Sequence, residues 1–244
     1  MPRIDRPAPP PTALVAIPGT GSDADHVTRA FGAAATSLGV DLIALDPASP
    51  LVERHVESLE QAAAGHRSIL VGGVSIGAAI ALEWALCRGG TGCAGVFAAL
   101  PAWSGDAATA VAAGSARATA EALDRDGLEA TVAAMAASSP DWLAEELARS
   151  WRRLHPDLVD QLRDAARHRS PTPSEIAGLA VPLAIVAAID DPIHPIDVAR
   201  EWHAAAPRST LIELTLDEWG RDPALLGNSC AAGYAGLLAE HTPR

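Results

Sequence analysis

Apolar residues along this chain fall into two rhythms. Short continuous runs occur at Ala13–Ile17, Leu42–Leu45, Ile69–Val71, Ala94–Leu100 and Leu183–Ile189, each ending in Gly, Pro, Asp or a small residue. Continuous runs of that length predict strands buried on both faces, as in a parallel sheet. A sixth run, Leu211-Ile-Glu-Leu-Thr-Leu216, alternates instead, which predicts an edge strand with one wet face. Between the runs the spacing becomes helical: about 25–37, with Ser22 or Asp23 as N-cap, then 51–64, the Ala-rich stretch after Gly77, and 196–206. Strands alternating with helices predict an α/β fold: a six-stranded, mostly parallel sheet with helices on both faces.

From Gly105 to about Ala180 the strand pattern stops. Leu123, Leu128, Val132 and Met135, then Leu143 and Leu147, then Leu158 and Leu162 keep helical spacing. Ser139-Pro140-Asp141 and His155-Pro156-Asp157 read as helix starts, and Pro171-Thr-Pro173 ends the region. Three to five short helices are therefore expected as a cap inserted after the fourth strand. The implied division is a core of residues 1–104 and 176–244 with a cap at 105–175. Trp142 and Trp151 lie at helical spacing there, a position more often taken by core residues than by a binding face.

Composition narrows the function more than the fold. At 244 residues the chain fits one α/β domain with an insertion. A net charge of −12 argues against nucleic acid or an anionic membrane as partner. All 18 basic residues are Arg, which with the abundant Ala points to coding bias rather than to chemistry. Three cysteines without metal-ligand spacing suggest free thiols in a reducing cytoplasm. The Pro-rich start, Met1–Pro11, lacks the apolar core of a signal peptide and reads as a short extended leader. No run is long enough to span a bilayer. No metal cluster, phosphate loop or G-x-G-x-x-G after a strand implies a cofactor. A small-molecule substrate is expected, with a homodimer left open.

The candidate chemistry sits at Gly73-Val74-Ser75-Ile76-Gly77, between the third strand and an Ala/Leu-rich helix. G-x-S-x-G in that setting describes a sharp turn that lifts a serine hydroxyl above the sheet, with glycines where strand and helix approach each other. The bland alternative is a tight strand-to-helix turn in which Ser75 is merely small.

With this motif in place, most of the chain resembles the α/β-hydrolase superfamily. The resemblance implies Ser75 as nucleophile and the Ile76 amide as one oxyanion donor. The loop after the first strand, Pro18-Gly19-Thr20-Gly21, resembles the family's His-Gly-x-Gly loop with Pro18 in place of His, so Gly19 and Thr20 are expected at the oxyanion hole, with Thr20 N–H as the second donor. Asp191, followed four residues later by Pro195, matches the loop that carries the family's acid; Asp190 is the fallback. Trp103, just past the fourth strand, is expected either as a wall of the ligand crevice or as packing beneath the insert.

One departure is plain. After the last strand the family places Gly-His, its general base, and this chain has Gly220-Arg221; arginine cannot accept a proton at neutral pH. His194 is the leading substitute because it shares the catalytic end of the sheet with Asp191. His26 and His241 are alternatives, His26 expected at the surface. His55, His66, His155, His168 and His203 are expected as solvated helix residues. The implied function is a serine hydrolase acting on a small ester, thioester or related acyl substrate with a hydrophobic part. The missing Gly-His keeps open a non-hydrolytic lyase or cyclase, or a catalytically inactive ligand-binding member.

Overall fold

A computed structural model describes residues 9–240; most of the expected leader and His241 lie outside that range. Six strands, β1 (Ala13–Ile17), β2 (Asp41–Ala44), β3 (Ile69–Val74), β4 (Cys93–Ala99), β5 (Leu183–Ala188) and β6 (Ser209–Leu214), form one sheet in the order β2-β1-β3-β4-β5-β6. Every neighbouring pair is parallel. Register is fixed by apolar rows across the sheet, as where Val15 stands beside Ile43 on one side and Val71 on the other.

The period of two explains why the strand runs are apolar throughout. Val15, Ile17, Ile69, Val71, Val96 and Ile185 face one layer of core; Leu14, Leu70, Phe97, Ala184 and Val186 face the other. Helices α2 (Leu51–Gly65), α3 (Ile76–Arg88) and α9 (Ile196–Ala205) cover the first layer through Leu59, Trp84 and Trp202. Helices α1 (Ala24–Leu38) and α11 (Ala224–Ala239) cover the second through Val27, Phe31, Leu226 and Tyr234. The two edge strands, β2 and β6, are only partly buried, as the alternation in β6 predicts.

Boundaries differ from the sequence reading by up to three residues, the largest at β3, which runs on to Val74, and β6 shows one reason. It ends at Leu214 because Thr215 starts a helix, α10 (Leu216–Arg221): the Glu218 amide donates to Thr215 Oγ1 (3.2 Å) and the Thr215 amide to Glu218 Oε2 (2.7 Å). The stretch after the last strand, which holds Gly220-Arg221, is thus a short capped helix.

Between β4 and β5 lie α4 (Val111–Asp126), α5 (Leu128–Ala137), α6 (Asp141–Leu154), α7 (Leu158–Arg167) and the single turn α8 (Pro173–Ile176). Leu123, Val132, Trp151, Leu154, Leu158 and Leu162 give this insertion a core of its own. Its ends are tied where the Gly105 and Ser170 amides each donate to the other's carbonyl (3.0 and 2.9 Å). Among the described residues no helix is long and apolar enough to cross a membrane.

Candidate active site

The site forms where β1, β3 and β5 end on one rim of the sheet. β3 runs into Ser75, whose backbone sits at φ 56°, ψ −116° before α3 begins. A non-glycine residue in that region costs about 1–3 kcal/mol and persists only where its surroundings impose it. Two glycines make the imposition possible. A Cβ on Gly73 would fall 2.6 Å from the Ile17 carbonyl oxygen and 2.5 Å from the Gly77 backbone, and one on Gly77 would strike the Ile17 and Pro18 carbonyls. Strand β1, elbow and α3 therefore touch through backbone alone.

The Ser75 hydroxyl is 3.0 Å from His194 Nε2. On the far side of the ring, His194 Nδ1 is 2.8 Å from Asp191 Oδ2. Asp191 Oδ1 also accepts the amides of Ile193 (2.8 Å) and His194 (3.2 Å). The carboxylate and imidazole side chains are 5% and 16% exposed. Burial by itself would raise the Asp191 carboxyl; the hydrogen bond and charge of His194 and the two amides outweigh it and hold the group below its ordinary value. This arrangement keeps a negative charge against one ring nitrogen and presents the other to Ser75, the geometry by which a histidine takes a hydroxyl proton.

Asp190, the fallback acid, points elsewhere: its Oδ1 accepts the Leu216 amide at the start of α10 (2.7 Å). Gly19 lies against the elbow: a Cβ added there would fall 3.4 Å from the Val74 carbonyl oxygen and 3.6 Å from Ser75 Cβ. Thr20 is the next residue of that loop and half-buried. Ile76 is the first residue of α3, so its amide is one of those for which helix geometry provides no intrahelical acceptor.

Several expectations need correction. Trp103 does not stand as an open pocket wall; it is 7% exposed in the core layer with Trp202, and its Nε1–H donates to the His168 carbonyl (3.2 Å). A flat apolar ring with one donor is consumed there by joining core to insertion. His26, expected at the surface, is 6% exposed beneath Trp219, with Nδ1 3.8 Å from Glu146 Oε1. Burial drives its pKa down, against the pull of Glu146. It lines a 450 Å³ cavity between α1, α6 and α10, whose lining does not include Ser75. His55 is buried and the His168 side chain nearly so, with its Nε2 3.4 Å from Glu83 Oε2, and burial pushes each down to about 4. Their helical spacing, read without knowledge of what packs above it, gave no sign of this. Trp151 packs into the insertion's core, as its spacing suggests, while Trp142 is partly buried, edge-to-face on Trp219 with ring centres 4.5 Å apart, in the lining of the cavity beside His26. Arg221 is exposed and paired with Asp217 on its own helix.

Sequence reading missed the contribution of α6. Ser150 is fully buried, and its hydroxyl donates to the Gly21 carbonyl (2.6 Å). Arg149 grips Asp23 with two bonds (2.8 and 2.9 Å), and Arg153 Nε adds a third (3.0 Å). Burial would raise the Asp23 carboxyl, but Arg149, the His26 amide and Arg153 together hold it far below the usual range. Asp23 also caps α1 by accepting the His26 amide (3.2 Å). The i, i+1, i+4 spacing of Arg149, Ser150 and Arg153 was visible, but nothing in the sequence pairs it with residues near 21–23.

No protein-family model matches the chain, and no curated protein matches it in sequence. Its fold is that of solved structures at low identity. An esterase from Thermogutta terrifontis aligns over 95% of this chain and 91% of its own, at 17% identity and TM-score 0.68. The hydrolase olei00960 from Oleispira antarctica aligns over 94% and 90%, at 15% identity and TM-score 0.66. An α/β hydrolase from Sphaerobacter thermophilus aligns over 91% of both chains, at 17% identity and TM-score 0.63.

Proposed function

We propose that this chain, which has the α/β-hydrolase fold, is a serine hydrolase of small esters, thioesters or related acyl compounds with a hydrophobic part. The observation that carries the reading is the unbroken relay Asp191–His194–Ser75, with contacts of 2.8 and 3.0 Å. It answers the objection raised by Arg221, because a base stands beside the serine without the Gly-His motif.

In the proposed mechanism Ser75 Oγ attacks the acyl carbon while His194 Nε2 takes its proton. Asp191 keeps Nδ1–H in place and stabilises the imidazolium. The amides of Thr20 and Ile76 receive the carbonyl oxygen as it becomes an oxyanion, each worth roughly 3–4 kcal/mol of transition-state stabilisation in such a hole. His194 then gives its proton to the leaving alcohol or thiol. Water, deprotonated by the same nitrogen, releases the acid and restores the Ser75 hydroxyl. The insertion serves as the cap over this site, and the hydrophobic part of the substrate rests on the apolar, Trp-containing composition of residues 105–175.

Labelling with a fluorophosphonate probe tests the reading. The parent protein is expected to take one equivalent at Ser75, and Ser75→Ala none. A parent that turns over no p-nitrophenyl ester and takes no label would overturn it in favour of a non-hydrolytic or ligand-binding role.

A further inference from the structure

From the contacts of α6 we infer that Ser150, backed by Arg149, is a positioning residue for the oxyanion loop, so that the insertion sets the catalytic geometry of the core. The inference rests on the serine hydrolase reading and adds to it a role for residues far from Ser75 in sequence.

The loop from Pro18 to Asp23 is suspended between two supports. On one side Gly19 rests on the elbow, beside Val74 and Ser75. On the other, Gly21 rests on α6: it sits at φ +73°, and a Cβ there would fall 2.6 Å from Trp151 Nε1. Thr20, the proposed donor, lies between them. Within the loop itself, the Ser22 amide donates to the Gly19 carbonyl (3.0 Å). At its end the Asp23 carboxylate accepts the His26 amide of α1, and α6 adds the rest of the side-chain contacts: Ser150 Oγ–H on the Gly21 carbonyl, and Arg149 and Arg153 on Asp23. The Thr20 side of the loop is glycine-flanked and therefore free to rotate unless both neighbours are held. Fixing the Gly21 carbonyl and the Asp23 carboxylate removes that freedom, and with it the freedom of the Thr20 N–H to swing away from the oxyanion.

The chemistry of the contacts suits this role. A buried serine hydroxyl on a main-chain carbonyl sets one peptide plane, whereas an apolar contact would only limit its position. The two-bond grip of Arg149 fixes the plane and direction of the Asp23 carboxylate as a single-point charge would not. Asp23 in turn starts α1, so the loop is clamped at the point where it becomes helix. A donor displaced by about 1 Å can cost on the order of 10²-fold in rate while leaving substrate binding almost intact.

The test compares Ser150→Ala, Ser150→Thr and Arg149→Lys with the parent. The measurements are p-nitrophenyl acetate kinetics, inhibition by a trifluoromethyl ketone that forms a tetrahedral adduct, fluorophosphonate labelling and thermal unfolding. Ser150→Ala is expected to lower kcat about 10- to 100-fold with KM changed less than about threefold, and to weaken the ketone by the same factor as kcat. Ser150→Thr, which keeps the hydroxyl, is expected to recover most of the loss. Arg149→Lys, which keeps the charge but not the two-bond geometry, is expected to show a smaller loss of the same kind and covers the case in which Ser150→Ala does not fold. If the parent labels and turns over ester while folded Ser150→Ala and Arg149→Lys match it in kcat and ketone affinity, the positioning role is overturned and the hydrolase reading stands. If the parent takes no label at Ser75, the hydrolase reading falls and the inference with it.

Discussion

Asp191 and His194 stand three residues apart on a single turn, and the carboxylate binds the histidine twice: Oδ2 meets the ring at Nδ1 (2.8 Å) and Oδ1 accepts the main-chain amide (3.2 Å). Carboxylate and imidazole are therefore held to one another by side chain and by main chain. The loop after β5 carries both, while the chain after β6 turns directly into α10.

The first prediction concerns that pair and its serine. Ser75→Ala and His194→Ala are each expected to reduce ester turnover to the residue left by binding and oxyanion contacts, roughly 10³–10⁴ over water, and the double variant is expected to be no worse than either single one. His26→Ala should stay within about threefold of the parent. Additive losses in the double variant, measured by kcat/KM, would show that the two side chains do not act together.

Replacing the acid separates orientation from fold. Asp191→Asn is expected to lower kcat about 10³- to 10⁴-fold, because the amide favours the wrong ring tautomer. Asp190→Asn, which touches only the start of α10, should change kcat less than about twofold. Steady-state kinetics of the two neighbours decide which carboxylate serves the histidine.

Arg221→His probes the position left vacant by the missing Gly-His. The side chain there is exposed and lies on α10 beside Asp217, so a histidine is expected neither to raise parental activity nor to restore turnover in a His194→Ala background. Rescue of even about tenfold would mean that α10 can present a base to Ser75.

The backbone contact at the elbow predicts a steep stability effect. Gly73→Ala forces a methyl into the Ile17 carbonyl and the Gly77 backbone. Overpacking against main chain costs about 3 kcal/mol, which corresponds to a fall in Tm of roughly 6–12 °C for a chain of this size. A Tm within about 2 °C of the parent would contradict the close approach.

Two buried histidines set an acid limit on stability. Burial lowers the folded-state pKa of His55 and His168 to about 4, from 6.5. Between those values the unfolded chain binds protons that the native chain refuses, so stability falls as pH drops from about 6.5 to 4, by about 1.4 kcal/mol for each pH unit and each histidine once the unfolded form is protonated. His55→Gln should flatten that part of the profile of urea-unfolding free energy against pH. An unchanged slope would show that His55 is protonated in the folded state.

The sequence alone determined the sheet and the sharp turn at Ser75, because both depend on local patterns. A strand buried on two faces must be apolar throughout, and a serine at a strained turn needs glycines at its flanks, so Ala13–Ile17, Leu183–Ala188 and Gly73–Gly77 declare themselves. The candidates Ser75, Asp191 and His194 were equally legible as residue types at loop positions. Their convergence was not. Whether His194 turns toward Ser75 depends on how the Asp191 turn closes on its own amides, and that is decided by three-dimensional geometry rather than by spacing. Burial of His26, His55 and His168 depends on what lies above a helix face, which periodicity cannot report. Trp103 showed the same limit, since an aromatic at a strand end can face a crevice or a packed layer, and here the insertion covers it. The grip of Arg149, Ser150 and Arg153 on loop 21–23 joins segments about 130 residues apart. Only the folded chain brings them together, because the ion pairs and the buried hydroxyl bond that hold them exist only where α6 packs against the loop after β1.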